Sequence, residues 1–101
     1  MNIILVCFAG MSTSMLVSKM EKVAAERGID ATISAMPATE IYDELDGADV
    51  VLLGPQARYA LDKVKSEAEP KGIPVAVIDS ILYGTMNGGA VLDMALDMAK
   101  K

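Results

Sequence analysis

Two rhythms of apolar residues alternate along the chain, and each change of rhythm marks a change of element. Residues 2–6 place Ile3, Ile4, Leu5 and Val6 in one unbroken run, which predicts a strand buried on both faces. Residues 13–27 switch to a helical period, with Leu16, Met20, Val23 and Ala24 on one face and Gly28 as the C-terminal cap. A second strand is predicted over 31–35, broken by Pro37, and a short helix over 39–45 that carries Ile41 and Leu45 beside several solvated acids. Residues 49–53 form a third buried run. A helix over 57–68 ends before Pro70 and Gly72, a fourth strand covers 75–78, and a last helix starts near Gly89. In that helix Met94 and Met98, four apart, read as core, and Lys100 and Lys101 stand where a helix dipole favours cations.

Strands that alternate with helices need right-handed crossovers, so the pattern predicts an α/β fold with a four-stranded parallel sheet flanked by helices. The expected strand order is 2-1-3-4, in the manner of flavodoxins and low-molecular-weight phosphatases. That order puts a topological switch between the first and third strands, where sheets of this kind bind ligands beyond the strand C-termini. The segments beside the switch are residues 7–12 and 54–56. Topology alone therefore nominates a site.

The length of 101 residues fits one domain over 1–101, and an apolar content of 52% supplies its core without disulfides or metals. The net charge of −5 argues against a nucleic-acid partner, which calls for a basic face. Histidine is absent, which removes a histidine base, a histidine metal ligand and a phosphohistidine from the chain's own chemistry. The single cysteine cannot form an intrachain bridge, the N-terminus does not read as a signal peptide, and no apolar stretch is long enough to span a bilayer. These features lead us to expect a cytoplasmic protein without membrane insertion, metal or cofactor.

The remaining chemistry gathers in Cys7, Phe8, Ala9, Gly10, Met11, Ser12, Thr13 and Ser14, between the first strand and the first helix. A helix N-terminus offers free amide hydrogens and a dipole that favours anions. Ala9 and Gly10 permit close backbone approach, so the loop can wrap a phosphate as a nest of amides. Three successive hydroxyls can cap the helix or donate to phosphate oxygens, and the same positive field would lower the pKa of the Cys7 thiol. No charged residue lies from Cys7 to Ser18, which suits a group that must be both accepted and released. A plainer reading stays open: a cysteine ending an apolar strand as a small buried hydrophobe, followed by ordinary capping residues.

The run C-F-A-G-M-S-T-S, then V-V-L-L-G-P-Q-A-R-Y at residues 50–59 and V-I-D-S-I-L-Y-G at 77–84, resembles the IIB component of the bacterial sugar phosphotransferase system, lactose/cellobiose (chitobiose) class. The resemblance covers essentially the whole chain. It implies a phosphoryl carrier with Cys7 as phosphocysteine and residues 8–14 as its phosphate loop. It also implies a IIA phosphohistidine protein as donor and a disaccharide held by a membrane-embedded IIC permease as acceptor.

Other residues carry two readings each. Gln56 is a polar wall of the site, a docking contact or part of a strand-exit turn, and Tyr83 a rim residue or a packed tyrosine. Asp79 suits a loop or helix-capping residue better than a general acid, and Arg58 a solvated cation better than a contact to phosphate or to an acidic partner surface. Phe8 and Met11 offer an adaptable apolar docking surface. The rival enzyme is a low-molecular-weight cysteine phosphatase or arsenate reductase, whose loop closes with an arginine where this chain has Thr13. A flavin-binding module would need more aromatic residues, and a receiver domain an aspartate where this chain has Gly54-Pro55.

Overall fold

Period-two alternation in the strands decides which side chains go to which layer. A computed structural model describes residues 1–7 and 11–99, apart from the side chains of residues 7 and 11–13. In β1 (Asn2–Cys7), Ile3 and Leu5 join one hydrophobic cluster while Ile4 and Val6 join the other. In β3 (Val50–Leu53), Val50 and Leu52 divide in the same way from Val51 and Leu53. With β2 (Thr32–Pro37) and β4 (Val75–Val77) these form a parallel four-stranded sheet in the expected order, β2-β1-β3-β4.

One face is covered by α1 (Met11–Glu26), α3 (Ser80–Gly84) and α4 (Gly88–Ala99). Leu16, Met20 and Ala24 form the buried stripe of α1, and Gly28 closes that helix with φ of 68°. The other face is covered by α2 (Leu61–Ala68) and by short 3₁₀ segments. Among the described residues no helix is long and apolar enough to cross a membrane.

Several elements differ from the sequence expectation. The segment expected to be a short helix over 39–45 is two 3₁₀ turns, Ile41–Asp43 and Leu45–Gly47. Ile41 and Leu45 are buried as the pattern requires, but this connection must carry the chain from one end of the sheet back to the other. A 3₁₀ segment rises about 2.0 Å per residue against about 1.5 Å in an α-helix, so it covers the distance with fewer residues. The helix expected over 57–68 opens as a 3₁₀ segment from Pro55 to Ala60 and becomes α-helical only at Leu61. The helix α3 was not expected. Met94 and Met98 pack against the first hydrophobic cluster as expected but stay half-buried, because α4 turns Val91, Leu92 and Ala95 fully inward and sets the two methionines beside the open edge of β4.

Candidate functional site

β1 lies inside the sheet, between β2 and β3, and Cys7 is its last residue, in register with Pro37 of β2. Four residues later, at Met11, α1 begins, sixteen residues long, with no acid in its first turn to compete for an anion. The residues expected to form the loop divide as follows. Phe8, Ala9 and Gly10, and the side chains of Cys7, Met11, Ser12 and Thr13, lie outside the described residues. Ser14 is exposed in the first turn of α1, and its carbonyl accepts a hydrogen bond from the Ser18 hydroxyl at 3.2 Å.

Across the switch, β3 ends beside β1, and the Gly54 amide donates to the Val6 carbonyl at 2.9 Å. Pro55 at the start of the following 3₁₀ segment fixes the turn. A Cβ placed on Gly54 would stand 3.2 Å from Tyr83 Cε2, 3.4 Å from Gln56 Oε1 and 3.5 Å from the Val6 carbonyl oxygen. Gln56 and Tyr83 thus converge on one point next to the residue that precedes Cys7. The sequence treated them as separate rim candidates; α3 brings Tyr83 there and buries it.

Asp79 does not join that point through its carboxylate in any bond seen here. It is the N-cap of α3, where Oδ1 accepts from the Ile81 amide at 2.7 Å, which is the capping role its sequence context suggested. The cap, with Asn87 Oδ1 accepting from Ala90 at the start of α4, was the local signal by which α3 and the turn before α4 could have been recognised. Arg58 is exposed, and no salt bridge involves it among the described residues.

The close packing at Gly54 has a measurable consequence. Gly54→Ala is expected to cost about 1 kcal/mol, because the aromatic ring of Tyr83 must give by a few tenths of an ångström. Urea unfolding of Gly54→Ala, Tyr83→Leu and the double variant should give a double-variant loss smaller than the sum of the singles. Strict additivity would mean that the ring does not restrain Gly54.

Residues 2–94 match the family described as PTS system, lactose/cellobiose specific IIB subunit. The PTS system galactose-specific EIIB component of Lactococcus lactis subsp. cremoris is 47% identical over 98 residues, covering 92% of this chain and 91% of the relative. The cellobiose-specific EIIB component of Lactococcus lactis subsp. lactis is 46% identical over the same coverage, 92% and 91%. Among solved structures, the cellobiose-specific phosphotransferase IIB component of Borrelia burgdorferi superposes with a TM-score of 0.83 at 49% identity, covering 99% of this chain and 92% of that one.

Proposed function

Because the chain belongs to the lactose/cellobiose-specific IIB family of the sugar phosphotransferase system, we propose that Cys7 carries the phosphoryl group between a IIA phosphohistidine and a sugar held by a IIC permease. IIB components of this system act as phosphotransferases in sugar uptake. The carrying observation is the place of Cys7 at the C-terminal end of a central strand, just ahead of an acid-free helix N-terminus.

The Cys7 thiolate attacks phosphorus in line, the P–N bond to the donor imidazole breaks as the P–S bond forms, and the imidazole retains its electron pair and takes up a proton. In the second step a sugar hydroxyl attacks the same phosphorus, its proton passes to a base on the acceptor side or to solvent, and the thiolate leaves. Such a reaction needs positioning and stabilised charge more than acid–base groups on the carrier, which fits a chain without histidine. Residues 8–14 form the phosphate cradle in this reading. Gln56 and Tyr83 wall the site from the β3 side, and Asp79 supports that wall as the cap of α3. The domain spans 1–101 and works on the cytoplasmic side, where both partners present their groups.

Relatives of nearly equal identity are named for galactose and for cellobiose, so sugar choice is assigned to the permease, whose binding site meets the sugar directly. The test is chemical. Protein charged by a phosphorylated IIA protein should give a ³¹P signal of a thiophosphate ester, be discharged by iodine, and lose its label to sugar only when the permease is present. A signal of serine-ester character would overturn the assignment to sulfur.

A further inference from the structure

β4 ends the sheet on one side, and among the described residues no strand pairs with its outer edge. The Val51 amide donates to the Pro74 carbonyl at 3.0 Å, and the Ile78 amide to the Leu53 carbonyl at 2.7 Å. In a parallel ladder the bonds to one neighbour fall on alternate residues, so residues 74, 76 and 78 serve β3. Val75 and Val77 therefore turn their amides and carbonyls outward. Groups of this kind are a template for another strand, and proteins usually shorten or cover such an edge. Here the edge is short, three residues, but its start is uncovered and floors a groove of about 760 Å³.

Both layers supply the walls. Lys65 and Glu69 come from α2, and Asp93, Met94, Asp97 and Met98 from α4. The two half-buried methionines make an adaptable apolar wall. Three carboxylates face one ammonium in this lining, and Asp93 is also bridged to Arg27 of α1. Past Ile73 and Pro74 the groove meets a hollow of about 440 Å³ that adds Asp49 and Lys71, the latter paired with Asp46. It thus runs toward the N-terminal ends of the strands. Cys7 ends β1 at the opposite end, two strand spacings or about 10 Å across the sheet.

We propose that an extended, cationic cytoplasmic segment of the IIC permease docks in this groove and pairs with β4 as a fifth strand. The inference rests on the relay reading above and adds a tether to the permease that is separate from the reacting end. Charge selects the occupant. Cytoplasmic segments of membrane proteins carry an excess of lysine and arginine, which complements Glu69, Asp93 and Asp97. A chain of net charge −5 is repelled by an anionic leaflet, so its attraction to the membrane must come from protein cations. A second copy fits poorly, because two-fold pairing of β4 with β4 sets the same carboxylates against each other. Main-chain bonds to Val75 and Val77 supply affinity, and contacts with Met94 and Met98 supply selection. With the Cys7 end left open, the tethered thiol meets the bound sugar at a high local concentration.

The experiment measures binding of the full chain to a IIC permease of the lactose/cellobiose class in phosphatidylcholine nanodiscs. Empty nanodiscs of phosphatidylcholine and of phosphatidylglycerol are the controls. Binding should slow hydrogen exchange at the Val75 amide about tenfold or more, and should weaken as salt is raised. Glu69→Lys combined with Asp97→Lys should weaken binding about tenfold and raise the carrier concentration for half-maximal sugar phosphorylation by the same factor. Charging by a phosphorylated IIA protein and the thermal midpoint should not change, since both substitutions are on exposed residues away from Cys7. Equal binding by the charge-reversed variant, or an unprotected Val75 amide in the complex, would overturn the proposal. Impaired charging with normal sugar phosphorylation would make the donor the occupant, self-association that protects Val75 would make it a second copy, and equal binding to empty phosphatidylglycerol nanodiscs would make it lipid; each also overturns it. Transfer to sugar with Val75 unprotected sinks this inference alone. No transfer to sugar by the wild-type chain sinks the relay reading, and this inference with it.

Discussion

Cys7→Ser is expected to abolish phosphoryl acceptance, with charging by a phosphorylated IIA protein reduced at least about a thousandfold. The exchange barely alters side-chain volume, so the argument concerns ionisation. A free thiol is a few per cent thiolate at neutral pH and more so near a helix N-terminus, whereas a serine hydroxyl is essentially never an alkoxide without a neighbouring base. The chain has no histidine to provide one. Attack on phosphorus then lacks its nucleophile, while the nearly equal volume of the two side chains leaves packing little changed. Charging is followed with labelled donor, alongside thermal unfolding, which should shift by no more than a degree or two. A serine variant that charges at the wild-type rate would move the phosphoryl group to another residue.

Gly88→Ala is expected to produce the largest loss of stability from a single methyl group among the described glycines. A Cβ at Gly88 would lie 2.7 Å from the Lys19 carbonyl carbon, 2.8 Å from Lys19 Cβ and 2.8 Å from the Met20 amide nitrogen. Two of those atoms are backbone in the middle of α1, which cannot yield without moving the helix. Relief requires separating α4 from α1 and opening the cluster that Leu16, Met20, Val91 and Leu92 close between them. The expected cost is about 3 kcal/mol or more, roughly 12–24 °C in Tm for a domain of this size. Gly89→Ala is the matched control. It lies one residue later in the same turn, and the nearest atom to its Cβ would be Arg27 Nη2 at 3.6 Å, an ordinary contact. That variant should be neutral or slightly stabilising, since alanine favours helix more than glycine. Equal losses in the two variants would show that backbone conformation rather than helix contact governs the site.

The candidate site was legible in unequal parts. Cys7 announced itself as the lone thiol between a strand and a helix, a feature written in a few consecutive residues. The cap at Asp79 was also readable, because a capping carboxylate bonds an amide only two residues away. The meeting of Gln56 and Tyr83 at Gly54 was not, since Tyr83 reaches that point on a helix from the far side of the next strand.

What the sequence by itself determined is everything that repeats with the local backbone. Side chains alternate along a strand and return every three to four residues along a helix, so the strand runs and the α1 stripe follow from residues close in the chain, and the alternation of strand with helix gives a parallel sheet with right-handed crossovers. Only the tertiary structure decided which face of α4 turned inward and left Met94 and Met98 at the sheet edge, and why residue 88 must be glycine. It also decided that the path from β2 to β3 became 3₁₀ turns. Those outcomes depend on surfaces contributed by residues distant in sequence, and close packing, unlike periodicity, exists only once such surfaces meet.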